Sequence, residues 1–483
     1  MPTMVKSQLI DLLRHFSTEE LQEFRLFVAS PFFNRGHFAR EVEALTSFIL
    51  TSAPDFSETD LGRTEAYHAI FPDSPVVEGK LDKVMSELHK LAKAFISVTR
   101  YLRPENEFRQ LLDQAVFYRT RALDNRHRNI IERLQTYQHN IRLRDQDFYE
   151  RDFLLDNEIH FYENLHNQKR GDVHIQKTLQ SLDLHYFFSK IELLNRYLLQ
   201  QKVTQLNITA EMMQTIRESH LPERYADTHP ILLISYKIFC LLEKEQTDAA
   251  AFDDLYRLLR QHESEIQPGL MKFYYTYIRN FCVLLVSLGR SEFLPILFAL
   301  QKEHLERGYL YYENKISPST FLNASNTALL LKEYEWAKQF ILSHRGRIVG
   351  DNENQDYYHL TLANFLFHTG QLEQALDILP QSFHELAYHN LARRLELKIY
   401  YELDSDLLPY KIDAFKMYLS RASKKVISEL VREQNTNFVN LLSQLYTTIK
   451  GDKTRAQRLV QRIQSKQSIA EREWLMEKVA ELA

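Results

Sequence analysis

The chain has 483 residues, several times an average domain, so it has the length for two or three domains and a large buried core. Its 11 Gly and 13 Pro make up about 5% of the residues, against roughly 7% and 5% separately in average proteins, and a strand-rich fold would need more of these turn formers. Sixty basic against 64 acidic residues leave a net charge of −4, which excludes a global field for nucleic acid or anionic membrane, while 44% hydrophobic and 26% charged content excludes disorder.

In chain order, Val5, Leu9, Leu12, Leu13 and Phe16 fall at helical spacing. Ser17-Thr-Glu-Glu20 then reads as a capping box, with Phe16 and Leu21 at the positions of a hydrophobic staple. The next helix carries Leu21, Phe24, Phe27 and Val28 and stops at Ser30-Pro31. In the turn that follows, Phe32 and Phe33 are both expected to plug the core. A capping Ser57 precedes a helix ending near Phe71, and Pro72 to Pro75 break it. A long helix from about Glu78 to Leu102 shows the stripe Leu81, Val84, Met85, Leu88, Leu91, Ala92 and Phe95. Pro104 marks a boundary, so residues 1–103 form an N-terminal helical module.

From Phe108 to about Asn167 there is neither Pro nor Gly, and one or two long helices are expected. Lys169-Arg-Gly-Asp172 reads as a turn, followed by a helix with Leu184, Phe187, Phe188, Ile191, Leu194 and Leu198 on one face. Cys240 and Cys282 sit in the apolar runs IFCLL and NFCVLL and read as buried small hydrophobes. Two isolated cysteines imply no disulfide framework and fit a reducing compartment. The most apolar stretch, Phe281 to Leu300, is cut by Gly289, Arg290, Ser291 and Glu292, whereas a spanning helix needs about 20 apolar residues. The N-terminus lacks the apolar region of a secretory signal, and a soluble cytoplasmic protein is expected.

Three segments share one order of apolar helix, short turn and second helix with a small residue near its start: 280–300, 323–342 and 360–379. Their turn positions Gly289, Lys332 and Gly370 lie 43 and 38 residues apart, with weaker copies around Glu243–Glu245 and at Leu386–Leu403. A two-helix unit of that period is the mark of an α-solenoid. Asn364, Leu366, Gly370, Glu373, Ala375 and Leu376, with Ala337 matching Ala375, resemble degenerate tetratricopeptide repeats, whose ideal period is 34. The Ser30–Asn34 turn, the Leu182–Leu199 helix and Glu473–Lys478 also resemble stretches of uncharacterised bacterial helical-repeat proteins, a likeness that implies no activity. The resemblance implies a helical-hairpin solenoid over 104–410, clearest at 271–403. From Asp413 the pattern turns polar and basic, with Asn435-Thr-Asn437 and Lys450-Gly-Asp452 as breaks, and 411–483 reads as capping helices that close the stack with Trp474, Leu475, Val479 and Leu482. The expected fold is all-α, an N-terminal helical module followed by an α-solenoid of stacked hairpins.

No phosphate-binding glycine loop, nucleophile elbow, zinc-protease motif or paired C-x-x-C is present, so no catalytic, cofactor or metal residue is assigned. Glu158, His160, Glu163 and His166 come closest to a ligand set, but their helical spacing divides them between faces. The tyrosine pairs at 274–275, 311–312, 357–358 and 400–401 read as fillers between hairpins rather than groove anchors. Two basic patches remain. Lys80, Lys83, Lys90 and Lys93 stand away from the apolar stripe of the 78–102 helix, with Arg100 and Arg103 near its end. Arg119, Arg121, Arg126, Arg128 and Arg133 are interleaved with acids and read as a solvated face. The resulting expectation is a non-enzymatic scaffold that binds a protein or peptide through a repeat groove, without membrane contact and compatible with a homo-oligomer. The alternative is a regulator that contacts DNA or RNA through Lys80, Lys83, Lys90, Lys93 and Arg100.

Overall fold

The computed structural model describes residues 4–57, 60–72, 74–166, 174–201, 209–220, 224–225, 227–244, 249–287, 290–383, 385–422 and 429–482. It is 75% helical with 1% strand, as the shortage of turn formers implies. No helix among the described residues is long and apolar enough to cross a membrane. Two compact units divide the chain: Met1–Ser235 with Ser264–Ile266, and Tyr236–Glu263 with Gln267–Ala483.

The first unit begins with α1 (Gln8–Leu13), α2 (Thr18–Ala29), α3 (Ala39–Leu50), α4 (Arg63–Ile70) and α5 (Lys80–Tyr101). The stripe on α5 buries Leu81, Val84, Met85, Leu88, Ala92 and Phe95, and α1, α2 and α3 pack against this helix. Phe16, Phe24 and Phe95 form one aromatic cluster, with ring centroids 5.4–5.9 Å apart. At the start of α2 the capping box is closed in both directions: Glu20 N–H donates to Ser17 Oγ at 3.2 Å, and Ser17 N–H donates to the Glu20 carboxylate at 2.8 Å. Such a cap is worth about 1 kcal/mol. Only one phenylalanine of the following turn plugs the core. Phe33 stacks on Phe27 at 3.9 Å, whereas Phe32 is 66% exposed beneath the Arg35 guanidinium. The turn bonds Phe33 and Asn34 N–H back to the Ser30 carbonyl, and adjacent side chains then leave on opposite sides. Ser57 does not cap α4, whose N-cap is Gly62; its hydroxyl bonds Asp60 instead.

The stretch without Pro or Gly forms three helices rather than one or two: α6 (Glu107–Thr120), α7 (Asp124–Asn140) and α8 (Gln146–His166). The first break needs no glycine because Ala122 takes φ 52° and Leu123 N–H closes on the Tyr118 carbonyl at 2.9 Å. The α8 helix packs along α9 (His174–Gln201), which buries all six apolar residues named for it, and α10 (Ala210–Arg217) follows. The expected turn at Lys169–Asp172 lies outside the described residues.

The helix α11 (Pro230–Lys244) crosses the division, and α12 (Ala249–Gln261) lies in the second unit. Next come α13 (Pro268–Ser287), α14 (Phe293–Glu306), α15 (Pro318–Leu330), α16 (Tyr334–Ser343), α17 (Asp356–His368), α18 (Leu372–Ile378) and α19 (Leu386–Glu402). Among the described residues the strand content is one hairpin, Tyr311–Tyr312 paired with Lys315–Ile316, turning through Glu313 and Asn314 at positive φ.

The segment pairs read as repeats are helical hairpins closed by one kind of turn. Lys332, Gly370 and Asp404 take φ 61°, 77° and 48°, and the next N–H bonds the carbonyl five residues back: Glu333 to Ala328, Gln371 to Leu366, and Ser405 to Tyr400, at 2.9–3.1 Å. The bond from Arg290 to Leu285 repeats this after α13, while Gly289 itself, and Glu245 of the weaker copy, lie outside the described residues. Ala337 on α16 and Ala375 on α18 have no exposed surface. The first helices also pack on one another, α15 against α17 and α17 against α19.

The C-terminal part comprises α20 (Leu408–Arg421), α21 (Glu429–Tyr446), α22 (Lys453–Ser465) and α23 (Arg472–Leu482), joined by a core that includes Leu397, Phe415, Phe438, Leu442, Leu459 and Leu475. Asn435-Thr-Asn437 is no break; it lies inside α21. Both amides are bonded across the unit, Asn435 Oδ1 accepting from Arg394 at 2.9 Å and Asn437 Nδ2 donating to the Ser468 carbonyl at 2.7 Å. Buried amides with such partners lose their preference for turns. Lys450-Gly-Asp452 is a break, with Gly451 at φ 94° and Asp452 capping α22.

Candidate functional site

In the second unit, the first helices of successive hairpins present matching ridges. Residues three or four apart share one helix face, which places Leu322, Asn326 and Leu330 of α15 in one row, Leu360, Asn364 and His368 of α17 in a second, and Leu391, Leu395 and Lys398 of α19 in a third. These rows form one wall of a half-open cavity of about 810 Å³, and the segment from Gln464 to Glu477, ending on α23, forms the other. That volume falls within the usual range of ligand-binding clefts, about 300–1,000 Å³.

Apart from His368, the ridge wall is polar at two places. At the first, Asn364 Nδ2 donates to Asn326 Oδ1 at 2.7 Å, which ties adjacent hairpins together. At the second, Lys398 and Arg394 hold the Glu471 carboxylate at 2.7 and 3.0 Å. Burial alone would raise the Glu471 pKa, but the two cations outweigh it and hold the acid at about 2. The Lys398 ammonium also lies 4.9 Å from the Phe367 ring centroid. His368 is pushed down to about 4 by burial, with Lys398 adding to the effect, so it is neutral at pH 7.

On the opposite wall, Trp474 Nε1 donates to Glu402 at 3.0 Å, and the Arg472 guanidinium is taken up by the carbonyls of Ile463 and Lys466. Glu473 and Glu477, one turn apart on α23, are exposed and have no ion-pair partner among the described residues. Lys466 and Arg472 on the same wall likewise have no ion-pair partner among the described residues.

The basic residues of α5 fall elsewhere, in the first unit. Lys80 folds over the Phe71 ring at 3.7 Å. Lys83, Lys90, Lys93 and Arg100 are exposed and, with Ser86 and Ser97, follow one stripe at spacings of three and four. Lys90 is paired with Glu87 at 2.7 Å, and Arg103 lies 3.8 Å from Glu20. In the second basic patch Arg121, Arg126, Arg128 and Arg133 are exposed, with Arg121 lying on Phe117 and Arg133 3.9 Å from Glu107, while Arg119 reaches inward to Glu158 at 2.8 Å.

Glu158, first of the acid–histidine set on α8, is buried between Arg119 and His127, whose Nε2 lies 3.1 Å away. The His166 side chain lies outside the described residues. Among the described residues no cluster of three or more potential metal ligands occurs. Of the tyrosine pairs, Tyr274, Tyr275 and Tyr358 are buried, Tyr311, Tyr357, Tyr400 and Tyr401 are half-buried and Tyr312 is exposed, and none of them lines the cavity. Cys282 is buried, its thiol pushed up to about 12 by burial, while Cys240 is half-buried.

Sequence reasoning read Asn364 only as part of the repeat pattern and missed Asn326, Lys398 and Glu471, which line the same cavity. One signal was present in the run Arg393-Arg-Leu-Glu-Leu-Lys398, charged residues in a helix that otherwise packs on both sides. There Glu396 is buried between Arg393 and Lys411. Compared with known proteins, the chain matches no family model, no curated protein and no solved structure.

Proposed function

We propose that the chain is a non-enzymatic binding protein of the cytoplasm, in which tetratricopeptide-like hairpins stack as a solenoid and hold a protein or peptide segment in the cavity bounded by α15, α17, α19 and α23. The observation that carries this reading is the ridge repeated on three first helices, apolar and bearing one amide pair. Identical hairpins stacked in register generate such an elongated wall, and a wall formed before binding lowers the ordering cost of association. The reading is tested by selecting peptides from a random library on the purified chain and measuring affinity by fluorescence anisotropy. Replacing Asn326 and Asn364 together by Ala, and separately Leu391 by Ser, is expected to weaken the selected peptides at least about tenfold, or about 1.4 kcal/mol. Selected peptides that bind both variants as they bind the parent would show that the cavity is not the site.

A second reading is supported by the exposed stripe of Lys83, Lys90, Lys93 and Arg100 on α5. Four cations along about 25 Å of helix can follow a phosphate backbone, and contact to DNA or RNA through that face is the alternative function.

A further inference from the structure

The helix α9 buries the stripe that its sequence announces, from Leu184 to Leu198, and carries a second apolar stripe on its other side. Leu179, Leu182, Tyr186, Leu193 and Tyr197 keep 39–57% of their surface exposed. Spacings of three, four, seven and four residues hold them in one narrow strip about 27 Å long. Between Thr178 and Leu198 the other exposed side chains are Gln180 and Arg196 alone. A surface helix keeps its outer face polar, and a helix apolar on both sides is one that is covered on both. With Ser189 in the gap, positions 179, 182, 186, 189 and 193 follow the alternating three-and-four spacing of a seam between two long helices.

We propose that this strip is the interface of a two-fold dimer, in which α9 of one copy packs antiparallel on α9 of a second copy. The inference concerns the first unit and is independent of the cavity. Size and charge select one self-complementary register. With Tyr186 opposite Ser189 of the second copy, a bulky side chain of the strip meets its smallest one. Leu182 then meets Leu193, and the two-fold axis repeats both layers. The same register brings Asp183 within about 3 Å, along the helix axis, of Lys190 of the second copy, so two ion pairs flank the seam. Both residues are half-buried, and neither has an ion-pair partner in its own chain among the described residues, Lys190 Nζ donating to Tyr186 Oη at 2.8 Å. Sliding the helices by one heptad would set Asp183 beside its own counterpart. Parallel packing would set Tyr186, Ser189 and Arg196 each against itself.

Sedimentation of the full chain over about 1–100 µM, the range suited to a small interface, tests the dimer. The parent chain is expected to pass from monomer to dimer. Leu193→Glu is expected to weaken association at least about hundredfold, because each copy would bury an unpaired carboxylate. Asp183→Lys is expected to weaken it about tenfold, and Asp183→Lys/Lys190→Asp to restore it. Cysteine variants test the register, with the parent chain as control for Cys240 and Cys282. Leu182→Cys and Leu193→Cys chains, mixed and oxidised, are expected to give a cross-linked dimer that neither gives alone. Position 182 faces 193 in this register, and each lies about 16 Å from its own counterpart, beyond disulfide reach. All these positions are exposed or half-buried, so the thermal midpoint of the monomer is expected to hold. A parent chain monomeric up to about 100 µM, a dimer that Leu193→Glu leaves intact, or a Leu182→Cys chain that cross-links to itself overturns the proposal.

Discussion

At Lys332 the backbone is held at φ 61°, where the Cβ of an L-residue crowds the following carbonyl at a cost of about 1–2 kcal/mol. Gly370 occupies the corresponding place one hairpin later at φ 77° without that cost, and a Cβ there would meet no atom within 4 Å. Exchange therefore acts through the backbone alone. Lys332→Gly is expected to stabilise by about 1 kcal/mol and Gly370→Ala to destabilise by a similar amount, read from urea midpoints. Changes of the same sign would refute a shared turn. Two histidines add a pH dependence. His304 is lowered to about 3 by burial, aided by Arg279, Arg307 and Arg260, and His368 to about 4. Both folded values lie below the unfolded value of 6.5, so the unfolded chain binds more protons as pH falls through 6.5. Their neutral burial gives its full stability above pH 6.5 and loses it towards pH 4, at up to about 1.4 kcal/mol per pH unit for each. Between pH 6.5 and 5.5, above most of the range in which an unfolded Glu471 takes up its proton, the stability of the second unit should fall, and His304→Phe should reduce that slope. A slope unchanged in the variant would exclude His304 as its source.

The helical hairpin is the element on which the proposed repeat depends. Ala375 on α18 has no exposed surface and packs in the core formed with Leu360, Ala363 and Leu395, so a larger side chain has nowhere to go. Ala375→Leu is expected to cost about 1–3 kcal/mol by overpacking, measured as a lower thermal midpoint. An unchanged midpoint would mean that α17 and α18 do not meet as closely as their alanines require. Features of this scale were legible in the sequence because their causes are local: the α5 stripe, the Ser17–Glu20 box and the turn at Gly370 each lie within a few residues. The misread elements depend on distant partners. Nothing near Asn435 and Asn437 announces Arg394 and Ser468, 41 and 31 residues away, which let two turn formers lie inside a helix. Nothing in the sequence around Ala122 marks an alanine at positive φ. Phe32 and Phe33 are chemically identical, and only the turn geometry decides which one is buried. The candidate site was not legible as a site, for the same reason. Asn364 belongs to the repeat pattern, but its partner Asn326 is one hairpin away, and Glu471 reaches Lys398 across 73 residues.

For the whole molecule, the two functional readings use surfaces in different units, the leucine ridge in one and the α5 stripe in the other, so each can be removed without touching the other. Duplex binding loses affinity with salt at a slope of about −0.9 per phosphate neutralised. The stripe offers four cations, one of them already paired with Glu87, on a chain of net charge −4. The slope of log affinity against log salt should therefore be no steeper than about −3 to −4, with dissociation constants in the non-specific range of about 10⁻⁴–10⁻⁶ M at physiological salt. Changing Lys83, Lys90, Lys93 and Arg100 to Gln should abolish this binding and leave peptide binding at the cavity unchanged, because none of the four lines it. The measurement is a salt titration of the parent chain and this variant against labelled duplex DNA, single-stranded DNA and RNA, with a cavity peptide titrated in parallel. Tight or sequence-selective nucleic-acid binding that the four changes abolish would make α5 the functional face. Weak binding with the shallow slope would mark the stripe as a solvated helix surface and leave the hairpin groove to carry the function.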